Sequence, residues 1–479
     1  MTFWTAEALR DAVQGRWLSR PSATAPDLIE RITTDSREAG PGVAFVALKG
    51  ESTDGHRFLA SAADAGCPLV VIHTEAAATT DLRDRSAVLI VPDTGAALLR
   101  LAAYYRRHLE GTRVIAVGGS NGKTTTVRLI DQLLSTELRG SASKKSFNNA
   151  VGVPLTILAA KKGDHFLICE VGTNAPGEIG PLVDVIRPDI AVLTSIGREH
   201  LEGLGNLEGV VREEISLLGG LKPGGLAVLP ADSRELRVAV RRLAAAGSQP
   251  DMKCIWFGTS PDADLRLSGV RTTLGGTDFT LNDRDTFHIP LSGAHNAANA
   301  AAAVAVARRM GISAAAILAG LAKAHGPPMR MELLRLETPR GPIAFLNDTY
   351  NANPDSMLGV FDTFFAIARD TSPGRLVLVL GDMLELGDLA PAMHREVLSA
   401  ARSHLAAAAQ PSLTVLVGPH MAGAANELKG FDVVRLESTT PEHSATAAAL
   451  FRPDDLVVLK GSRGSAIDRI LDAFMKTVT

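Results

Sequence analysis

The segment Gly119-Ser120-Asn121-Gly122-Lys123-Thr124 has the residue types that a phosphate-binding loop needs. Glycines let backbone N–H groups turn toward phosphate oxygens, and a helix starting at such a loop adds positive potential. Lys123 can reach the β- and γ-phosphates of a nucleotide, and the Thr124 hydroxyl can ligate Mg²⁺, with Thr125 behind it. The full pattern GxxxxGK[ST] asks for glycine at position 117, where this chain has Val117. A glycine turn capping a helix is the competing reading, and the setting argues against it. Val114 to Val117 reads as a strand before the loop, and Val127, Ile130, Leu134 and Leu138 share one helical face after it.

Other polar residues fall at the same topological place, just beyond apolar runs. Glu170 closes Phe166–Cys169, and His200 follows Ile190–Ile196. In an open α/β sheet the carboxyl ends of the strands line the ligand crevice. A carboxylate there can hold Mg²⁺ directly or through water. Taken alone, Glu170 reads equally well as a solvated strand end, and His200 as a structural histidine. Asn296 and Asn299 are three apart and share a helix face. Their amides could pair an adenine edge, although spacing alone favours a simple N-cap by Asn296. Asn347-Asp348-Thr349-Tyr350-Asn351-Ala352-Asn353-Pro354, Gly381-Asp382-Met383-Leu384-Glu385-Leu386-Gly387 and Lys460-Gly461-Ser462-Arg463-Gly464 each follow a buried-strand candidate. The first also reads as a loop of turn residues. Three such segments after three strands predict one shared binding edge.

The elements that must position these residues form three α/β stretches. Apolar runs at 43–48, 69–72 and 88–91 alternate with helical patterns around 57–65 and 95–108. The second stretch has runs at 114–117, 166–171, 190–196 and 226–229 with helices between, a pattern that predicts a mostly parallel sheet. Residues 265–290 read as strands, and an alanine-rich helix runs from about Asn296 to Met310, before Gly311. Ala324-His325-Gly326-Pro327-Pro328 is a linker by its helix breakers. Beyond it, 343–346, 376–380, 413–417 and 456–459 are strand candidates. At 479 residues the chain is long enough for two to four domains. The expected boundaries are 1–110, 111–326 and 327–479.

Composition narrows the class. Charged residues are 21% and hydrophobic ones 46%, so the chain is not disordered. A net charge of −3 and 4% aromatics argue against bulk nucleic-acid binding and base-stacking platforms. Three scattered cysteines suggest neither a zinc site nor disulfides, which suits a reducing cytosol. Met1 to Arg16 carries Glu7, Arg10 and Asp11 and has no signal-peptide core, and no stretch reads as a bilayer span. The expectation is a cytoplasmic protein without membrane insertion, and nothing demands more than a monomer.

The ordered motifs resemble the Mur ligase family, ATP-dependent amide-forming enzymes of peptidoglycan precursor synthesis. The resemblance rests on the three C-terminal segments, His200-Leu201-Glu202-Gly203, Glu170-Val171-Gly172-Thr173-Asn174, Asp35-Ser36-Arg37 and Asp54-Gly55-His56. Within the family the chain is most similar to members that join D-alanyl-D-alanine to UDP-N-acetylmuramoyl-tripeptide. Sister ligases, folylpolyglutamate-type ligases and a non-catalytic nucleotide-binding scaffold are the competing readings.

The resemblance implies an N-terminal UDP-substrate domain, a central ATP-binding domain and a C-terminal Rossmann-like domain. It also implies two steps, an acyl phosphate formed from ATP and then attack by the incoming amine. It implies that Gly119 to Thr125 hold ATP, that Lys123 binds the β/γ-phosphates, and that Thr124, Glu170 and His200 ligate Mg²⁺. Asn296 and Asn299 lie near adenine, Asp348 accepts ribose hydroxyls, and Arg330 reaches the γ-phosphate. Asn148 and Asn149 sit near phosphate and substrate. Ser36 and Arg37 sit near uridine, and Thr173, Asn351 and Asn353 near the remaining substrate. One departure stands out. Family members carry a lysine shortly after His-Leu-Glu-Gly, carbamylated to help bind a second Mg²⁺. Here no lysine occurs from His200 to Leu221, and Arg212 aligns with it. Glu213 or Glu214 is expected to supply the charge instead, with Glu214 favoured because Val210 and Leu217 share its side of a helix that begins near Asn206.

Overall fold

The computed structural model describes residues 4–20, 28–50, 53–144, 146–247 and 251–478. Three large sheets follow one another along the chain, beside a two-stranded pairing of Trp4–Thr5 with Leu28–Ile29. The first has five strands, β1 (Arg16–Ser19), β2 (Arg31–Thr33), β3 (Val43–Val46), β4 (Leu69–Ile72) and β5 (Ala87–Ile90), in the order β1-β5-β4-β3-β2. Only β1 runs antiparallel to its neighbour. Helix α1 (Thr94–Arg107), capped by Asp93 on Ala96 N–H, leads out of this unit. The stretch expected to be one helix at 57–65 is instead a 3-10 turn, Gly55–Phe58, followed by the short helix Leu59–Asp64.

The second sheet holds the phosphate loop. Its elements are β6 (Arg113–Gly118), α2 (Lys123–Leu134), β7 (Gly140–Ala142), α3 (Gly152–Ala159), β8 (Phe166–Glu170), α4 (Ile179–Ile186), β9 (Ile190–Leu193), α5 (Leu207–Gly219), β10 (Leu226–Pro230), β11 (Lys253–Gly258), β12 (Leu265–Thr273), β13 (Gly276–Leu281), β14 (Asp285–Ile289) and α6 (Ala294–Arg309). The strand order is β14-β13-β12-β11-β10-β9-β6-β8-β7. It is parallel from β7 to β12 and antiparallel through β13 and β14. Val114 to Val117 and Phe166 to Cys169 are fully buried. That burial on both faces, with helices packed above and below, is why these strands read as unbroken apolar runs. Register places Glu170 beside Val117 and Leu193 beside Gly118, so three strand ends meet at the loop. Strand β9 ends at Leu193, not Ile196. Thr194 to Ile196 are drawn out of the ladder to bond the phosphate loop, as Ser120 N–H donating to Ser195 O at 2.9 Å shows.

The third sheet comprises β15 (Glu332–Thr338), β16 (Gly341–Asp348), β17 (Arg375–Gly381), β18 (Ser412–Val417), β19 (Val433–Leu436) and β20 (Asp455–Lys460), in the order β15-β16-β20-β17-β18-β19. It is parallel except for the β15–β16 hairpin. Helices α7 (Pro354–Thr371) and α8 (Ala390–Ala407) pack on it. The α7 start is a capping box between Asn353 and Ser356 with Pro354 at its first position. Among the described residues no helix is long and apolar enough to cross a membrane.

Candidate active site

A cavity of about 1030 Å³ opens where the three units meet, lined from Leu99 of α1 through the phosphate loop to Asp348 and Lys460. Two glycines build the loop. Gly119 has φ +110, and a Cβ there would sit 2.5 Å from Thr194 Oγ1. Gly122 has φ +89, and its Cβ would sit 2.4 Å from Asn299 Oδ1. Both positions therefore need glycine for backbone conformation and for space. Lys123 opens α2 and donates to Gly119 O at 2.5 Å and Ser120 O at 3.2 Å.

Three buried carboxylates surround that ammonium. Glu170 is 1% exposed, Glu199 5% and Glu214 0%. Thr124 Oγ1 and Asn148 Nδ2 both donate to Glu170 Oε1 at 3.1 Å. Glu214 Oε2 accepts from Gly119 N–H at 2.7 Å. Glu199 Oε2 lies 3.6 Å from Lys123 Nζ and 3.7 Å from His200 Nε2. Burial pushes all three carboxyls up from their ordinary range, Glu214 to about 8, with Lys123 opposing the rise. Burial alone would lower Lys123, but Glu199, Glu214 and Glu170 together hold it above its ordinary value.

One oxygen of each carboxylate is left without a hydrogen-bond partner: Glu170 Oε2, Glu199 Oε1 and Glu214 Oε1. Buried carboxylate oxygens in this state are costly unless a cation or donor meets them. The donor set is hard oxygen, which suits Mg²⁺. Among the described residues no three His, Cys, Asp or Glu side chains close into a metal site by themselves.

The far wall comes from beyond the linker. Arg330 lies over the Tyr350 ring at 3.9 Å and donates to Ser146 Oγ at 3.4 Å, while Tyr350 Oη donates to the same hydroxyl at 2.7 Å. Asp348 and Lys460 are register partners on β16 and β20. Lys460 donates to Asp348 Oδ2 at 2.6 Å and to Asn351 O at 2.9 Å, and Met331 N–H donates to Asp348 Oδ1. His200 Nδ1 contacts Glu385 Oε2 at 2.5 Å, holding the Glu385 carboxyl below its usual range.

Several expectations change. Glu170 is buried, not a solvated strand end. Asn296 is not the N-cap: α6 starts at Ala294 after Gly293, and Asn296 Nδ2 donates to Ser292 O. Asn299 Nδ2 then donates to Asn296 Oδ1 at 3.2 Å, so the two amides work as a pair. Neither Glu213 nor Glu214 is solvated. Glu213 accepts from Gly177 and Ile179 N–H at 2.7 and 2.8 Å, which fixes the start of α4. Arg212 points outward, 3.8 Å from Glu208, so Glu214 is the α5 side chain that reaches the loop.

Thr125, Asn148, Asn149, Thr173, Asn351 and Asn353 line the cavity, whereas Ser36 and Arg37 do not. They form a turn after β2 in which Arg37 pairs with Asp35 and drives that carboxyl down to about 2. Asn149 Oδ1 accepts from Val151 and Gly152 N–H, and Asn353 caps α7. Sequence reading did not single out Glu199, and it placed Lys460 on the shared binding edge without giving it a role. Glu199 carried a signal in its place beside His200, and Lys460 in ending a strand next to Asp348.

Three family models match the chain in order: "Mur ligase family, catalytic domain" over 28–106, "Mur ligase middle domain" over 117–307 and "Mur ligase, glutamate ligase domain" over 329–463. The UDP-N-acetylmuramoyl-tripeptide–D-alanyl-D-alanine ligase of Bacillus subtilis is 36% identical over 370 residues, 77% of each chain. The chain belongs to the Mur ligase family. The ligase of that same name from Escherichia coli is 32% identical over 468 residues, 94% of this Mur ligase and 95% of the relative. The crystal structure of MurF from Acinetobacter baumannii superimposes with a TM-score of 0.84 at 29% identity, covering 99% of both chains. MurF ligase from Thermotoga maritima, solved in complex with ADP, gives 0.77 at 26% identity, covering 94% of this chain and 97% of that one.

Proposed function

We propose that this Mur ligase joins D-alanyl-D-alanine to UDP-N-acetylmuramoyl-tripeptide, converting ATP to ADP and phosphate, as a cytoplasmic step of peptidoglycan precursor synthesis. The observation that carries this reading is the half-buried Lys123 among Glu170, Glu199 and Glu214 at a phosphate loop, facing Arg330 and Asp348 across one cavity. Relatives that match most of the chain supply the choice of substrates.

A carboxylate is a poor acylating agent, and transfer of the ATP γ-phosphate makes it an acyl phosphate with a good leaving group. The amine of the dipeptide then attacks that carbonyl, and phosphate leaves. The protein's part is positioning and charge neutralisation. Gly119 to Thr125 cradle the phosphates, Lys123 neutralises the β/γ-oxygens, and Arg330 approaches the γ-phosphate from the linker. Asp348, held by Lys460, accepts from ribose, and the Asn296–Asn299 pair lies toward adenine. Thr124, Glu170, His200 and Glu214 would hold Mg²⁺, which supplies positive charge at the transferring phosphoryl oxygens. Asn148 and Asn149 face the phosphate and the substrate acyl end. Thr173, Asn351 and Asn353 contribute to the peptide pocket, and Ser36 and Arg37 to the uridine end. The division at 110 and 326 and a monomeric state belong to the same reading.

Phosphate release should require both UDP-tripeptide and D-alanyl-D-alanine. Lys123→Ala should lower that rate about 10²–10³-fold, the usual loss for one transition-state charge contact. Release driven by a single amino acid in place of the dipeptide would replace this reading with a sister ligase. Release independent of either substrate would remove it.

A further inference from the structure

Arg198 stands in the loop between β9 and His200, outside the cavity lining. The start of that loop is bonded to the phosphate loop. Asn121 N–H donates to Ser195 Oγ at 2.8 Å, Gly197 N–H to Ser120 Oγ at 2.8 Å, and Thr194 Oγ1 to Asn121 O at 2.6 Å. Arg198 itself faces the C-terminal unit. Its Nε and Nη2 donate to Asp355 Oδ1 at 2.9 and 2.7 Å, and its backbone N–H to Asp355 Oδ2 at 2.6 Å. Its Nη1 donates to both oxygens of Glu396 at 2.9 Å. Asp355 lies in the first turn of α7 and Glu396 on α8, so one guanidinium holds two helices of the other unit. At Gly197 a Cβ would sit 2.7 Å from Asp355 Oδ2, so the loop backbone itself is packed against that carboxylate.

We propose that Arg198 is a positioning residue that couples docking of the C-terminal unit to the geometry of the phosphate loop. The proposal rests on the ligase reading above. Docking brings Arg330, Asp348 and Lys460 to the cavity, and the Arg198 fork forms only in that docked arrangement. The same six-residue loop carries the bonds to Ser120 and Asn121 and ends at His200. A C-terminal unit held by Arg198 therefore also holds the segment that shapes the phosphate site. Only arginine supplies three donors in one plane to two carboxylates, and lysine offers a single point of contact. Both pairs are partly exposed, with side-chain exposures of 26% for Arg198, 35% for Asp355 and 43% for Glu396. Pairs of that kind each shift an equilibrium by at most about fivefold, and two of them by about tenfold or somewhat more.

The experiment compares wild type, Arg198→Ala, Arg198→Lys, Glu396→Ala and the Arg198→Ala/Glu396→Ala double variant, with Arg212→Ala as a surface control. Phosphate release, ATP affinity of the chain alone and melting temperature are measured for each. The wild type must first release phosphate in response to both substrates; if it does not, the ligase reading fails on its own. Given that, Arg198→Ala should lose about tenfold in kcat/KM for the dipeptide and only about two- to threefold in ATP affinity, because Lys123 and the Asn296–Asn299 pair hold the nucleotide without the docked unit. Lysine should recover part of the loss. Glu396→Ala should cost little more once Arg198 is gone. Raising salt should weaken dipeptide use by the wild type more than by Arg198→Ala. Unchanged kcat/KM in Arg198→Ala overturns the proposal. So does an equal loss of ATP affinity, which would make Arg198 a residue of loop folding, and so does a lysine variant no better than alanine.

Discussion

Glu213 and Glu214 are adjacent in sequence and do opposite work. Successive helical residues point about 100° apart, and here that turn sends Glu213 to the start of α4 and Glu214 to Gly119 N–H. Glu213→Gln replaces one of two accepting oxygens by an NH₂ facing an N–H donor. It should cost about 1–3 kcal/mol of stability and leave the Mg²⁺ requirement alone. Glu214→Gln keeps an acceptor for Gly119 but removes the carboxyl that a bound cation would ionise, so the Mg²⁺ concentration for half-maximal turnover should rise. Added bicarbonate should change neither rate, because no lysine stands on this face to be carbamylated. A metal titration of turnover, beside urea melts of both variants, checks this pair, and equal Mg²⁺ midpoints would remove Glu214 from the metal site. The helical side that carries Glu214 was legible from Val210 and Leu217, both fully buried. The role of Glu213 was not, because its partners at Gly177 and Ile179 are more than thirty residues away and only the tertiary fold brings them to it.

At the scale of elements, the parallel strands were legible because burial on both faces leaves continuous apolar runs such as Leu376 to Leu380. Ends were less legible. Gly293, not Asn296, is the N-cap of α6, and Asn296 spends its amide on Ser292 O and Asn299. The loop after β17 depends on a long-range device that spacing does not reveal. His394 of α8 is fully buried, its Nδ1 donates to Ala390 O at 2.6 Å, and its Nε2 accepts from Met383 N–H at 3.0 Å. Burial lowers this imidazole below its ordinary value. The Ala390 carbonyl and Asp382, at 3.9 Å, oppose that shift, and the stacked His420 adds to it. A histidine with a lowered folded pKa stabilises the fold above its unfolded pKa, near 6.5, and loses that contribution as pH falls through the folded value. Protonation removes the acceptor for Met383. The hydrogen-exchange protection of the Met383 amide should therefore fall as the pH drops below about 6.5, after correction for intrinsic exchange. His394→Gln, which keeps an acceptor that does not titrate in this range, should flatten the dependence. An equal slope in both proteins would show that His394 is not the titrating group.

Across the whole molecule, the order of three α/β units was legible from patterning and the Gly326-Pro327-Pro328 break, but their mutual placement was not. That placement rests on apolar packing across the units and on polar contacts between residues more than a hundred positions apart. Asn353 Nδ2 donates to Asn121 Oδ1 at 2.9 Å, Tyr350 reaches Ser146, and His200 meets Glu385. The C-terminal seam is mixed, because Leu201 and Leu204 pack into the C-terminal core beside these polar contacts, and relative motion is the default for units that meet over such interfaces. The cavity is lined from all three units, so a nucleotide and a UDP-linked peptide bound there would meet groups on both sides of these seams. The free chain should accordingly sample an arrangement more open than this one, with reactants drawing the C-terminal unit onto the phosphate loop. Small-angle scattering should give a smaller radius of gyration with nucleotide and UDP-substrate together than for the chain alone. Nucleotide by itself should give an intermediate value, because Lys123 and the Asn296–Asn299 pair lie on one side of the seam and Arg330 and Asp348 on the other. Superimposable profiles in all three conditions would mean that the site is preformed, and that reactants enter by a route that leaves the seams intact.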